Sequence, residues 1–186
     1  SRYLIMRIQP ELIEERGKFL EHENTQPWDK VLAPLVGLGG NLIPLVAGLD
    51  ARSGDLYPFA LGLKILALVL FVGGIVWGVW AFLTNRFFSG VVRLQKDRGH
   101  HVINTGPYSV MRHPGYAGAV LTYLASPVFL SSLWSFIPAA FFIVVVVIRT
   151  RLEDRFLQAE LPGYADYAKE VRFRLFPGVV TASKGD

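Results

Sequence analysis

The chain has 186 residues, of which 52% are hydrophobic and only 18% are charged. A soluble domain usually carries about a quarter charged residues, so this composition argues against a soluble globular protein and favours a membrane protein. The net charge of +4 comes from residues that lie beside apolar runs, which indicates membrane lipid rather than nucleic acid as a partner. The absence of cysteine excludes disulfides, thiolate metal sites and cysteine nucleophiles.

Two long apolar runs occupy the first part of the chain. Residues 31–49 are long enough to span a hydrocarbon core of about 30 Å, and residues 57–84 would form a helix of about 40 Å that crosses with tilt. Gly74 and Gly78 form a GxxxG pair in the second run, which permits close packing against another helix. We therefore predict that residues 1–84 contain a polar N-terminal segment and two transmembrane helices. Because the chain does not begin with methionine, we also expect residues upstream of it.

The next apolar region is too long for a single crossing. Residues 114–148 contain no charged side chain, and one helix of that length would measure about 52 Å. We therefore predict two crossings joined by a tight turn near residues 131–135, followed by a cytoplasmic C-terminal helical segment. The predicted fold is an all-α integral membrane protein with about four transmembrane helices, including this helical hairpin.

The charges of the polar segments predict the orientation. The loop 86–116 carries five basic residues against one acid, whereas the turn 50–55 carries two acids and one arginine. Because basic residues favour the cytoplasmic side, we expect the N-terminal segment, the long loop and the C-terminal segment to lie there. The polar segments that carry the candidate functional residues would then lie on one side of the membrane.

The long loop combines a bent backbone with ring side chains. Its glycines and prolines allow the backbone to approach a ligand closely, while its histidines and tyrosines offer hydrogen bonds and stacking surfaces. The alternative is an ordinary surface loop whose arginines contact lipid headgroups. The histidines lack the spacing of a metal site, and there is no dinucleotide-binding or P-loop motif, so we expect no metal and no nucleotide domain.

A second cluster follows the charge-free region, at Arg149, Glu153 and Asp154. On a helix Arg149 and Glu153 share a face, so a surface ion pair beside a membrane segment is one explanation. The other is a binding site, in which the acid binds an ammonium or sulfonium group and the arginine binds a carboxylate through two hydrogen bonds.

The two clusters together resemble the isoprenylcysteine carboxyl methyltransferase family, which is related to membrane phospholipid methyltransferases. The resemblance covers residues 85–180 and rests on GPY, RHPxY, the charge-free hairpin, Arg-x-x-x-Glu-acid and GYxxY, in that order. It implies an all-helical membrane enzyme that binds S-adenosylmethionine without a Rossmann domain. It divides the chain into residues 1–84, a methyltransferase core at 85–180 and a tail at 181–186.

The resemblance also implies roles for individual residues. Arg149 is expected near the reacting group together with Asp154, whose position more often holds glutamate in the family. The implied contacts to S-adenosylmethionine are His100, Val102, Gly106, Tyr108, His113, Tyr116 and Glu153.

The methyl acceptor is expected to be a lipophilic small molecule or a lipidated compound that reaches the site from the bilayer. Arg149 favours methylation of a carboxylate, and methylation of a phospholipid amine is the alternative. A membrane reductase similar to the sterol reductases and a non-enzymatic membrane scaffold also stay open. The sequence does not indicate the oligomeric state.

Overall fold

The computed structural model describes residues 24–177, and this part of the chain is helical with no β-strand. Most of the predicted N-terminal polar segment and the tail at 181–186 lie outside the described residues. The helices, numbered here in chain order, are α1 (Asp29–Ser53), α2 (Leu61–Thr84), α3 (Pro114–Phe129), α4 (Phe136–Glu160) and α5 (Tyr164–Glu170). Two short 3-10 turns, Lys96–Arg98 and Gly106–Ser109, interrupt the loop between α2 and α3.

The charge-free region folds as a helical hairpin with its turn in the predicted place. Helix α3 starts with Pro114, which suits a first helical position because its missing N–H needs no partner there. The chain then turns through residues 130–135 before α4 begins. In this turn Ser132 donates to buried Asp50 at 2.5 Å, which ties the hairpin to the end of α1.

Small residues allow α2 and α3 to pack closely. A Cβ atom on Gly118 would lie 2.5 Å from the carbonyl oxygen of Gly74 and 2.8 Å from the amide nitrogen of Gly78. Such distances are far shorter than real contacts, so the two backbones touch at these glycines. The GxxxG pair seen in the sequence therefore lies at a helix–helix contact inside the chain.

We expect Gly118→Ala to destabilise the protein, whereas Gly73→Ala should be neutral or slightly stabilising. At Gly118 the added methyl meets backbone atoms that cannot move aside, and overpacking of this kind costs about 1–3 kcal/mol. At Gly73 the added methyl meets nothing within 4 Å, and alanine is the better helix former. Thermal unfolding of both variants in detergent measures the difference, and equal midpoints would contradict the close packing.

The helix surfaces that face outward are strongly apolar. Helices α1 and α2 are long and apolar enough to cross a membrane. On α2, Leu61 is 74% exposed, Val69 is 62% exposed and Val76 is 63% exposed, which is not the pattern of a helix buried in a soluble core. Helix α3 has only 16 residues, or about 24 Å, and the apolar part of α4 ends at Arg149. Two of the four predicted crossings therefore have the required length, and the two arms of the hairpin stay a prediction.

Candidate active site

A cavity lies where the end of α2, the following loop, the start of α3 and the last turns of α4 meet α5. Its volume is about 100 Å³, and it is partly open to solvent. Its lining combines aromatic rings, histidines, arginines and one acid, which among the described lining residues is Glu153. Among its lining residues are Phe87, Val92, Arg93, Gln95, His100, His101, Tyr108, Arg112, His113, Tyr116, Glu153, Leu161, Tyr164 and Tyr167.

Asp154 lies behind this lining and connects several segments. Its carboxylate is fully buried and accepts hydrogen bonds from Arg112, from Nε at 2.7 Å and from Nη2 at 2.9 Å. Its other neighbours, at 2.9–3.3 Å, are the side chains of Arg174, Gln158, Tyr164 and His113. With this many partners, the carboxylate has little capacity left for a substrate.

The hydrogen bonds decide the ionisation state of Asp154. Burial by itself would raise the pKa of this carboxyl group, but the bonds from His113 and Arg112 outweigh burial and hold the pKa well below its ordinary value. Asp154 is therefore a carboxylate at neutral pH. A carboxylate that is ionised at neutral pH and enclosed by its donors acts as an anchor for them.

The C-terminal segment is fastened to the start of α3. The backbone N–H groups of Arg112 and His113 donate to the carbonyls of Phe173 and Arg174, both at 2.9 Å. The Arg112 side chain also donates from Nη1 to the carbonyl of Val171 at 2.6 Å, just past α5. One arginine therefore joins the loop, the end of α4 and the C-terminal segment around the cavity.

Tyrosines of α5 complete the wall on that side. Tyr164 donates its hydroxyl to Asp154 at 3.1 Å, and Tyr167 donates to the carbonyl of Tyr108 at 2.6 Å. Burial raises the pKa of Tyr164 and of Tyr108 above the ordinary value of a phenol. Both stay neutral at physiological pH and present phenol rings and hydroxyl groups to the cavity.

Glu153 points to the cavity from the last part of α4. Its Oε2 accepts the hydroxyl of Tyr116 at 2.9 Å, and Tyr116 belongs to the first turn of α3. The bond fixes the acid without neutralising its charge. A carboxylate beside aromatic rings is suited to a cationic ligand.

His100 contributes an uncharged ring to the lining. Its ring lies 4.6 Å from that of Phe87, and its Nδ1 accepts the backbone N–H of Gln95 at 3.3 Å. Burial lowers the pKa of His100 to about 4, and neighbouring His101, Arg93 and Arg98 act in the same direction. The imidazole is therefore neutral at physiological pH and does not repel a cation.

Arg149 is engaged by a residue that the sequence analysis did not consider. Its Nε and Nη2 donate to the two carboxylate oxygens of Asp29, at 2.6 Å and 2.9 Å, and Nη2 also donates to the carbonyl of Gly90 at 2.8 Å. The guanidinium carbon lies 5.5 Å from the centre of the Tyr116 ring. The carboxylate partner of Arg149 is therefore Asp29, and not Glu153 one turn along the same helix.

The cavity contains part of the predicted site. Five predicted residues line it: His100, Tyr108, His113, Tyr116 and Glu153. Arg149 and Asp154 lie behind the lining, where both are buried in ion pairs. Val102 packs beside Leu161 and the tyrosines of α5. Gly106 faces the end of α2, with φ at +57° and a virtual Cβ 3.2 Å from Thr84, so glycine serves the backbone there.

Several residues of the site were not predicted from the sequence. Arg112 belongs to the RHP motif, and Tyr164 and Tyr167 belong to the GYxxY motif, so a signal for them was present. Asp29 had no such signal, because it is a single acid at the start of an apolar run and its partner is 120 positions away.

Comparison with known proteins now identifies the family. A family model described as phospholipid methyltransferase matches residues 63–161, which is more than half of the chain. The chain belongs to the phospholipid methyltransferase family. No curated protein matches it. The resemblance seen in the sequence is confirmed at this level, while the carboxyl methyltransferase specificity lies beyond what the match covers.

The matched region runs from the start of α2 to the end of α4. It contains the loop, the hairpin and the five predicted residues that line the cavity. Family membership implies a methyltransferase, and such enzymes generally use S-adenosylmethionine. Together with the two long apolar helices, it also indicates association with a membrane.

Proposed function

We propose that this protein is a membrane-embedded, S-adenosylmethionine-dependent methyltransferase whose acceptor is an amine-bearing lipid headgroup. The observation that carries the proposal is the cavity in the family-matched region, where Glu153 is the acid among aromatic side chains. Both the cofactor and an amine headgroup are cationic, so one acid beside aromatic rings suits them both.

The lining fits the cofactor in three respects. Glu153 supplies a negative charge for a sulfonium, Tyr116 and Tyr108 supply rings, and neutral His100 adds no repulsion. When bound, S-adenosylmethionine supplies an electrophilic methyl group. The cavity volume of about 100 Å³ is smaller than the roughly 300–1,000 Å³ of typical ligand pockets. The cavity is partly open to solvent, so part of the cofactor would extend beyond this volume.

The engagement of Arg149 favours an amine over a carboxylate acceptor. From the sequence we expected Arg149 to bind a substrate carboxylate, but Asp29 already occupies the two nitrogens that make its bidentate bond. An ammonium headgroup must lose a proton before its nitrogen can attack a methyl group, and in this proposal Glu153 accepts that proton. Carboxyl methylation becomes the second candidate, supported by the family resemblance of the motifs.

We further propose four membrane crossings with the cavity on the cytoplasmic side. The cavity lies at the end of α2 and the start of α3, beside the arginine-rich loop. The hairpin turn and Asp50 lie together at the opposite end of the helices. This arrangement supports the orientation predicted from the basic residues, and the short hairpin arms would be accommodated by local thinning of the bilayer.

Methyl transfer in nanodiscs tests the proposal. The purified chain is supplied with methyl-labelled S-adenosylmethionine and one of three lipids: phosphatidylethanolamine, oleic acid, or phosphatidylcholine as the acceptor-free control. We expect label in the ethanolamine headgroup. Label in methyl oleate instead would support the carboxyl candidate. A folded protein that binds no S-adenosylmethionine would overturn the proposal, and binding of a reduced nicotinamide cofactor would then favour the reductase.

A further inference from the structure

Asp29, the first residue of α1, is a fully buried acid outside the family-matched region. Each of its carboxylate oxygens accepts a bond from Arg149, at 2.6 Å and 2.9 Å. One of them also accepts the backbone N–H of Val92 at 2.6 Å. A charge buried this completely requires such partners, and here the partners lead directly to the cavity.

The first route from Asp29 to the cavity runs through Arg149. The guanidinium that Asp29 fixes lies 5.5 Å from the centre of the Tyr116 ring, within the range of a cation–π contact. The Tyr116 hydroxyl in turn donates to Glu153 at 2.9 Å. Arg149 and Tyr116 therefore connect Asp29 to Glu153, the acid of the cavity.

The second route runs through the backbone of the wall. Val92 lines the cavity, and its backbone is bonded both to the first residue of α1 and to a residue just before this helix. Its N–H donates to Asp29, and its carbonyl accepts the N–H of Gln26 at 3.0 Å. The position of this wall therefore depends on the same carboxylate.

We propose that Asp29 is a positioning residue of the cofactor cavity, acting on Glu153 through Arg149 and Tyr116. This inference rests on the proposed function, because it concerns the same cavity. The competing explanation is that the ion pair only fastens α1 to α4. The two explanations differ in what happens when both charges of the pair are removed together.

The test uses Asp29→Asn and the double variant Asp29→Asn/Arg149→Met. The single variant leaves a buried guanidinium without its counter-charge, whereas the double variant replaces the pair by groups that need none. We expect the single variant to lose thermal stability and to bind S-adenosylmethionine at least tenfold more weakly. The double variant should regain most of the melting temperature, yet stay at least tenfold weaker in cofactor binding.

Asp50→Asn is the matched control. Asp50 is the other buried aspartate of α1, and it accepts a bond from Ser132 at the far end of the helix. We expect this variant to melt at a lower temperature while its affinity for S-adenosylmethionine stays within twofold of the parent. The comparison separates a loss of stability from a loss of cavity geometry.

The possible outcomes are distinct. If the double variant recovers affinity together with stability, the ion pair only fastens helices and the inference fails. If Asp29→Asn does not fold, the double variant alone decides. Tyr116→Phe tests the route. In that background Asp29→Asn should weaken cofactor binding by less than a further threefold. A further loss as large as in the parent would contradict the route. A parent protein that binds no cofactor overturns the proposed function itself.

Discussion

Replacing Asp154 with asparagine should lower the free energy of unfolding by about 3–5 kcal/mol, the usual cost of breaking a buried ion pair from one side. The carboxylate is fully buried and accepts both Arg112 bonds and one from Arg174. Asparagine would present an NH₂ group to donors and leave the guanidinium charges uncompensated. The same substitution should release the C-terminal segment, because Arg174 and Tyr164 lose their common acceptor.

Two measurements test this prediction. Unfolding in detergent reports the stability, and limited trypsin digestion reports release of the segment at Arg172 and Arg174. Asp166→Asn is the control, since that carboxylate is exposed and pairs with Lys169 on the surface. Exposed ion pairs contribute little to stability, so we expect no measurable change in the unfolding transition there. Equal behaviour of the two variants would show that Asp154 does not anchor the segment.

Lowering the pH should reveal the contribution of Asp154 to stability. Because the folded pKa of Asp154 lies below its ordinary value of 3.8, the stabilisation is complete above that value and is lost as the pH falls through the folded pKa. His100 acts at higher pH. Its pKa falls from 6.5 to about 4 on folding, so the free energy of unfolding declines as the pH falls from the first value to the second. Stability measured against pH should decline in both ranges, and Asp154→Asn should remove only the more acidic decline.

The helices could be predicted from the sequence because a long charge-free or apolar run can adopt few conformations other than a helix in a membrane. The hairpin follows from the length of residues 114–148 alone, and its turn lies where the serines interrupt the run. The loop and the end of α4 could be placed at one site because both carry basic residues. These arguments use length and composition, and both are properties of the sequence itself.

The partners of the buried charges could not be predicted in the same way. Helical spacing suggested Glu153 as the neighbour of Arg149, but packing of α1 on α4 brought Asp29 to the guanidinium instead. A local rule describes pairs within one helix and is silent about a residue 120 positions away. The family resemblance placed Asp154 near the reacting group, whereas tertiary contacts enclose its carboxylate in the structure.

Replacing Glu153 with glutamine should have the largest effect on activity. Glutamine can still accept the Tyr116 hydroxyl through its carbonyl oxygen, so the geometry at 2.9 Å can persist while the charge disappears. We expect affinity for S-adenosylmethionine to fall at least tenfold, or about 1.4 kcal/mol. Methyl transfer to an amine headgroup should fall further, by about 100-fold or more, because the site also loses its proton acceptor.

Glu160→Gln provides the control for the loss of charge. Glu160 ends the same helix and is exposed, so we expect affinity and rate within twofold of the parent. Tyr116→Phe separates the two roles of the acid, since it keeps the charge and removes the bond that orients it. A rate that falls with glutamine while affinity stays unchanged would assign Glu153 to the acceptor alone. Unchanged rate and affinity would contradict the site, because no other described lining residue carries a negative charge.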